Sequence, residues 1–296
     1  MQTSSRRLAA CTLLLALATA GCSESPGTVE VSIWGEAFVE QEIGPARGPA
    51  DEAGLQNGWT VTFTRFLVHV ADFTVASSTG AAGGALPGGR AYDLHTTTGS
   101  AAPYGTLPDI AAGRMDRVSF RLVPPTTGSV RGNATEADLA ALRAGGFSVY
   151  VEGQAARPGR AAPVTFRWGF TNAVRFERCA GDNHQPGLAI PSGGTARAQI
   201  TVHGDHFFYD SLVGETDPLG NSLTRLRFDA LAAADANNDH EVTLDELAAV
   251  DLTTLPTGQY GTGSLPGVNS LRDFVTTQVN SLGHFNGEGE CQVVRE

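Results

Sequence analysis

The chain has 296 residues, 41% of them hydrophobic, and a formal net charge of −11 at pH 7. This acidic balance disfavours nucleic acid as a partner, because phosphate binding requires clustered positive charge. The sequence contains no Lys, which excludes a Walker-type phosphate lysine and a Schiff-base lysine.

The first 21 residues have the pattern of a bacterial export signal. Arg6 and Arg7 precede an apolar stretch, residues 8–20, that is too short to span a bilayer. The tetrad Thr-Ala-Gly-Cys that ends at Cys22 resembles a bacterial lipobox, which implies that Cys22 is acylated and becomes the mature N-terminus. We therefore expect a lipoprotein of the cell envelope, anchored to a membrane through this lipid and the tether 22–28. An ordinary cleaved signal is the alternative.

Residues 29–215 have the pattern of a mainly β domain. Val29, Val31 and Ile33 alternate with polar residues, as in a half-buried strand. The glycine-rich residues 77–90 and the proline-containing residues 103–108 are predicted to be loops. Further strands are predicted at 59–75, 92–94, 115–123, 147–152, 164–176 and 197–203, with a helix at 135–144. Strands followed by helices predict an antiparallel β-sandwich with a C-terminal helical annex, residues 216–296.

A dense group of His and Asp residues follows the last of these strands. His203, Asp205 and His206 lie within four positions of one another. Two imidazoles at the end of a strand can share a transition metal, and neutral imidazole suits copper or zinc. The alternative is a pair of structural histidines held by hydrogen bonds.

Cys179 and Cys291 are the cysteines that remain after Cys11 in the export signal and the acylated Cys22. An exported protein folds in an oxidising compartment, so we predict a disulfide between them, with free thiols as the alternative. The bridge would place the C-terminus beside Cys179. It would also bring His184 and His284, each within seven residues of one of these cysteines, into the same region.

Residues 235–246 read D-A-N-N-D-H-E-V-T-L-D-E and have the spacing of a loop that wraps around a hard cation. Oxygen-bearing side chains occupy loop positions one, three, five, nine and twelve, and position seven would contribute its backbone carbonyl. Helix-compatible runs at 228–234 and 244–250 flank the loop. The predicted Ca²⁺ ligands are Asp235, Asn237, Asp239, Glu241, Thr243 and Glu246.

The loop and its flanks resemble the EF-hand family over roughly thirty residues, which implies one unpaired helix-loop-helix unit. His240 stands at loop position six, where the family has Gly. A residue with a Cβ in the left-handed conformation costs on the order of 1 kcal/mol, so we expect weakened Ca²⁺ binding. An acidic loop without an ion is the alternative.

The β region is also similar to periplasmic copper-binding proteins associated with methanobactin. The likeness lies in Phe-Leu-Val-x-Val at 66–70 and in Phe-x-Trp-x-Phe at 166–170, which is followed by Cys179. It implies a β fold and no ligand, because the Trp-x-His pair that binds copper in those proteins does not occur here.

The sequence thus favours a calcium-binding exported lipoprotein, a binding or structural protein rather than an enzyme, in which Ca²⁺ stabilises the fold. One alternative is a periplasmic copper- or zinc-binding protein that uses His203 and His206. A metal-assisted hydrolase at the same cluster is the third hypothesis.

Overall fold

A computed structural model describes residues 24–181, 183–214, 216–219 and 222–296. The predicted export signal and Cys22 lie outside these ranges. Within them, none of the helices combines the length and the apolar character that crossing a bilayer requires.

The described chain is mainly β. Its strands are β1 (Gly27–Trp34), β2 (Thr60–Ala76), β3 (Gly84–Asp93), β4 (Ala102–Ile110), β5 (Gly113–Met115), β6 (Arg117–Leu122), β7 (Val130–Arg131), β8 (Val149–Ala156), β9 (Val164–Phe170), β10 (Val174–Glu177), β11 (Leu188–Ile190), β12 (Thr195–Val202), β13 (Glu241–Val242), β14 (Gly283–Phe285) and β15 (Gln292–Arg295). Its α-helices are α1 (Glu36–Glu40), α2 (Glu136–Gly145), α3 (Asp229–Ala233), α4 (Leu244–Ala248) and α5 (Leu271–Gln278).

Thirteen of these strands form two large sheets, and β5 and β11 pair in a separate two-stranded sheet. One has the order β14-β12-β1-β4, and the other has the order β13-β9-β8-β2-β6-β10-β15, with β3 paired to β2 and β7 to β3. Three pairs are parallel, β1 with β12, β3 with β7 and β9 with β13. Both sheets are therefore mixed, and the antiparallel pairing predicted from the sequence holds for most strand pairs but not for these three.

One hydrophobic core contains residues of both large sheets. The alternating Val29, Val31 and Ile33 of β1 are buried, as are Phe166 and Trp168 of β9, and all belong to the same cluster. The alternation predicted for these strands is thus confirmed by which side chains are buried.

Two stretches that the sequence analysis assigned to loops are strands. β3 contains three glycines and pairs with the long strand β2. β4 contains Pro103 and Pro108 and lies at the edge of the four-stranded sheet, where β1 is its neighbour. An edge strand has one side without a ladder partner, so it tolerates residues that lack an N–H group.

The C-terminal region contributes strands to both large sheets and is not purely helical. β13 pairs with β9, β14 with β12, and β15 with β10. The sulfur atoms of Cys179 and Cys291 are at bonding distance, 2.07 Å, which agrees with the predicted disulfide. The bridge joins the segment after β10 to the residue that precedes β15.

The double substitution C179A/C291A should lower the free energy of unfolding by up to about 5 kcal/mol, because a bridge between residues 112 positions apart restricts the unfolded chain. Denaturant unfolding of wild type and variant, each with and without reductant, measures this difference. Reductant should lower the stability of wild type to that of the variant and leave the variant unchanged. Equal stability of oxidised wild type and variant would contradict a stabilising bridge.

Candidate metal centre

Three histidines meet at the end of β12. One ring nitrogen from each of His203, His206 and His284 lies within 4.8 Å of the other two. The ring centroids of His203 and His284 are 4.1 Å apart, and that of His206 lies 5.3 Å and 5.2 Å from them. The sequence predicted the first two as metal ligands and placed His284 only in the region of the disulfide. His184, the other histidine of that prediction, is exposed and belongs to neither candidate group of ligand atoms among the described residues.

Strand pairing explains why His284 joins the cluster. Thr201 of β12 is directly opposite His284 of β14, so the two side chains point to the same face of the sheet. Side chains two positions apart on an extended chain also share a face, which places His203 beside His284. The backbone N–H of His203 donates to the carbonyl of Leu282 at 3.0 Å and extends the pairing to this residue.

Glu36 reaches the centre from the neighbouring parallel strand. Trp34 of β1 pairs with Thr201 of β12, and both strands run in the same direction. The residues that follow them therefore emerge at the same edge of the sheet. The Glu36 Oε1 atom lies 3.6 Å from Nε2 of His203. Glu36 has φ +60°, a conformation that is uncommon for a residue with a Cβ and that occurs often at functional sites.

His206 lies in the 3₁₀ turn Gly204–Phe208, which packs closely against α1. A Cβ on Gly204 would lie 2.6 Å from a methyl carbon of Val39, so only Gly fits this position without displacing the turn. The Ser281 hydroxyl donates to the Gln278 carbonyl at 2.9 Å and is 3.0 Å from Nδ1 of His206. This hydroxyl therefore accepts the Nδ1–H of His206, which leaves the lone pair on Nε2.

Asp205 lies beside the three-histidine cluster. Its side chain is buried and accepts a hydrogen bond from the Tyr209 hydroxyl at 3.1 Å. The other carboxylate oxygen, Oδ1, lies 4.0 Å from Nδ1 of His203 and has no hydrogen-bond partner among the described residues. Asp205, predicted as a ligand, is in neither candidate group of ligand atoms. It lies on the Nδ1 side of His203, where a metal-binding imidazole often has an acidic partner, but the 4.0 Å separation is too long for a hydrogen bond.

Burial keeps two of the imidazoles neutral. It lowers the pKa of His206 well below its usual value, and the neighbouring His284 and His203 add to this shift. It also lowers the pKa of His284 to about 4, with a further contribution from His203. Neutral imidazole is the form that binds a metal, so His206 and His284 are ready to bind one at pH 7.

The three imidazoles are a donor set that could hold a metal ion. Zinc binds imidazole nitrogen at about 2.0–2.1 Å and in catalytic sites often has three protein ligands and an open fourth position. A tetrahedral ion at that distance holds its ligand atoms about 3.3 Å apart, so side-chain shifts of about 1 Å would bring the three nitrogens together. A cavity of about 280 Å³ has His206, Tyr209 and Ser281 in its wall.

The predicted calcium loop has a left-handed residue at its sixth position. His240, at loop position six, has φ +66°, the left-handed conformation that the missing Gly would adopt. Asp235 accepts hydrogen bonds from the backbone N–H groups of Asp239 and His240 at 3.2 Å and 3.1 Å. The Glu246 carboxylate bonds to Thr243 through Oε2, while its buried Oε1 has no hydrogen-bond partner in the described chain. The flanking helices α3 and α4 have only five residues each.

The loop is attached to the nine-stranded sheet. Its positions seven and eight, Glu241 and Val242, form β13, which pairs in parallel with β9. The indole N–H of Trp168 donates to the Val242 carbonyl at 2.9 Å. The Glu241 side chain points to Arg167, with a shortest oxygen–nitrogen distance of 2.9 Å, and so a bound ion would receive only its carbonyl oxygen.

Comparison with protein-family models, with curated proteins and with solved structures finds no match. The resemblances to EF-hand loops and to methanobactin-associated proteins therefore stay predictions that depend on the residues themselves.

The metal-free protein should lose stability as the pH falls from about 6.5 to about 4. The unfolded chain protonates His284 near its ordinary pKa of about 6.5, whereas the folded chain does so only near a pKa of about 4. Between these two pH values the unfolded state binds more protons than the folded state. The free energy of unfolding therefore decreases as the pH is lowered. The lowered pKa of His206 acts in the same direction.

Thermal unfolding of chelator-treated protein across this pH range tests the effect. The melting temperature of H284Q should decrease less steeply than that of wild type as the pH is lowered. The variant lacks one of the imidazoles that take up a proton on unfolding. H184Q, which changes an exposed histidine, is the matched control and should follow wild type. The same slope in H284Q and wild type would contradict a histidine kept neutral by burial.

Proposed function

We propose that this chain is an exported metal-binding protein that holds one copper or zinc ion on His203, His206 and His284. The observation that carries the proposal is the convergence of three imidazoles from a strand end, a 3₁₀ turn and a second strand. Imidazole nitrogen is a preferred ligand of both metals, and burial favours the neutral rings that they require.

A purely structural role for the histidines fits the geometry less well. Buried structural polar groups normally have hydrogen-bond partners. Here Nδ1 of His284 and Oδ1 of Asp205 are buried without a well-aligned partner among the described residues. A cation bound to the imidazoles would accept the lone pair of His284 Nδ1. Its positive charge would also compensate the negative charge of the Asp205 carboxylate.

The setting of this site is also part of the proposal. The export-signal pattern and the Cys179–Cys291 pair favour an oxidising compartment of the cell envelope, with the chain anchored through acylated Cys22. We interpret the two large sheets as the layers of a sandwich, because their buried residues form one core. The metal centre lies at one edge of the four-stranded layer, beyond the end of β12.

Chelator-treated wild type should bind about one equivalent of Zn²⁺ or Cu²⁺ in a calorimetric titration. H206A and H284A should each weaken binding by at least about 100-fold, since loss of even an outer-shell partner costs 10- to 100-fold. H184A, in which an exposed histidine is removed, should bind like wild type. Unchanged affinity in H284A would overturn the three-histidine site, and turnover of a test ester abolished by H206A would favour the hydrolase.

A calcium site at 235–246 is the second candidate, and the observation that favours it is the left-handed conformation of His240 at loop position six. Glu246 also has one buried carboxylate oxygen without a hydrogen bond in the described chain, which a cation would satisfy. We infer that Ca²⁺ would fasten the loop and β13 to the sheet edge. Extracellular sites of this kind bind at about 10⁻⁴–10⁻³ M, so the ion would be structural.

Saturating Ca²⁺ should raise the melting temperature of wild type, since an ion at one hundred times its dissociation constant adds roughly 2.7 kcal/mol. E246Q should lose most of this rise, because the neutral amide is a much weaker ligand. D245N removes the neighbouring charge from a side chain that is 97% exposed and should keep the rise. An equal rise in E246Q and wild type would place the ion elsewhere.

A further inference from the structure

We propose that Glu36, His203 and Glu288 form a second cation subsite, at the mouth of the three-histidine centre, which captures the divalent ion first and passes it inwards. The inference rests on the proposed function and deepens it. One ligand atom from each of these three residues lies within 4.8 Å of the other two. The two groups share His203, so an ion could move between them without leaving this ligand.

The shared imidazole has carboxylates on both sides. Glu36 Oε1 lies 3.6 Å from Nε2 of His203, and Glu288 Oε2 lies 3.9 Å from its Nδ1. Because an ion binds one ring nitrogen at a time, the subsite requires both carboxylates to approach the same nitrogen, and one ligand atom from each of the three residues already lies within 4.8 Å of the other two. Two carboxylates and one imidazole are a suitable donor set for zinc, which accepts both oxygen and nitrogen ligands.

Burial of the ligands increases along the proposed route. The side chain of Glu288 is 77% exposed, that of Glu36 is 15% exposed, and that of His203 is 3% exposed. An arriving ion carries a hydration shell and a double positive charge, so negatively charged and exposed oxygen ligands attract it best. The buried imidazole of His206 and the half-buried imidazole of His284 then replace oxygen ligands and water with nitrogen.

Glu288 is exposed, but its backbone is firmly placed. The turn between β14 and Cys291 closes with a hydrogen bond from the Phe285 N–H to the Gly289 carbonyl at 2.8 Å. The N–H of Gly287 donates to the Thr201 hydroxyl at 3.0 Å, and the Asn286 side chain accepts from the N–H of Gln199 at 2.8 Å. These contacts with β12 hold the turn over His203, so the carboxylate of Glu288 remains near the mouth.

Rapid mixing of metal-free protein with Zn²⁺, followed with a zinc-responsive indicator, tests the subsite. E288Q should lower the association rate constant about tenfold, within the range of electrostatic steering. An intermediate site through which the ion both enters and leaves affects the two rate constants equally. The dissociation rate constant should therefore fall by the same factor, and the dissociation constant should stay near that of wild type. E290Q, an equal charge change two residues away on an exposed side chain, should leave both rate constants unchanged.

A second arm detects the subsite at equilibrium. The double variant H206A/H284A keeps Glu36, His203 and Glu288 and should retain one weak Zn²⁺ site. Adding E36Q or E288Q should abolish this residual binding, whereas adding E290Q should not. A circular dichroism spectrum and melting curve check that each variant is folded.

The outcomes separate the two proposals. If wild type binds neither Zn²⁺ nor Cu²⁺, the three-histidine centre and the subsite both fail. If wild type binds Zn²⁺ but E288Q associates as fast as E290Q, the subsite alone is overturned. It is also overturned if E288Q changes only the dissociation rate constant, because Glu288 would then stabilise the final site without capturing the ion.

Discussion

The arrangement of the centre depends on the register of three paired strands, β1, β12 and β14. In one row, Ile33, Ile200 and Phe285 lie opposite one another and are fully buried in the core. In the next row, Trp34, Thr201 and His284 share the opposite face. A slip of one residue would exchange the two faces and bring His284 into the apolar core. Burial of the first row therefore fixes the position of the second.

The 3₁₀ turn Gly204–Phe208 is held from its apolar side. Phe207 stacks on Phe170 with ring centroids 5.3 Å apart, and Phe208 lies 5.8 Å from Phe228, which precedes α3. Trp168 packs 6.4 Å from Phe207 and donates its indole N–H to the calcium-like loop. The same aromatic residues thus support the turn that carries His206 and the attachment of the loop. Ligands supported in this way hold their geometry better than ligands on a free loop.

Local patterns in the sequence predicted much of this structure. Contacts between residues far apart in the sequence were not predicted. Alternation marked β1 and β12, the two cysteines predicted their own pairing, and His203 with His206 marked the strand end. Parallel pairing of β1 with β12 joins residues more than 160 positions apart, and no local pattern reports it. Glu36, which follows β1, was missed for this reason, and Glu288 was missed because the pairing of β14 with β12 is equally non-local. From the sequence, His284 could be placed only near the predicted disulfide, because it lies seven residues before Cys291.

The glycine- and proline-rich strands β3 and β4 were missed for a different reason. Their glycine- and proline-rich composition is typical of loops when the residues are considered alone. A strand forms, however, wherever its free backbone N–H and C=O groups can pair with those of a neighbouring strand. β3 borders the long strand β2, and β4 lies at a sheet edge beside β1. Composition therefore misled where tertiary pairing decided the structure, whereas His240 was placed correctly because loop position six imposes a local backbone conformation.

The centre is costly to fold without a metal, and this gives the disulfide a further role. A buried polar atom without a partner costs about 1–3 kcal/mol, and both Asp205 and His284 contain one among the described residues. Under the proposed export, the chain would fold before it meets the proposed ion, so other contacts would have to hold these side chains together. The Cys179–Cys291 bridge anchors the segment that carries His284 and Glu288. Binding of the ion can then add its free energy to a fold that already presents the site.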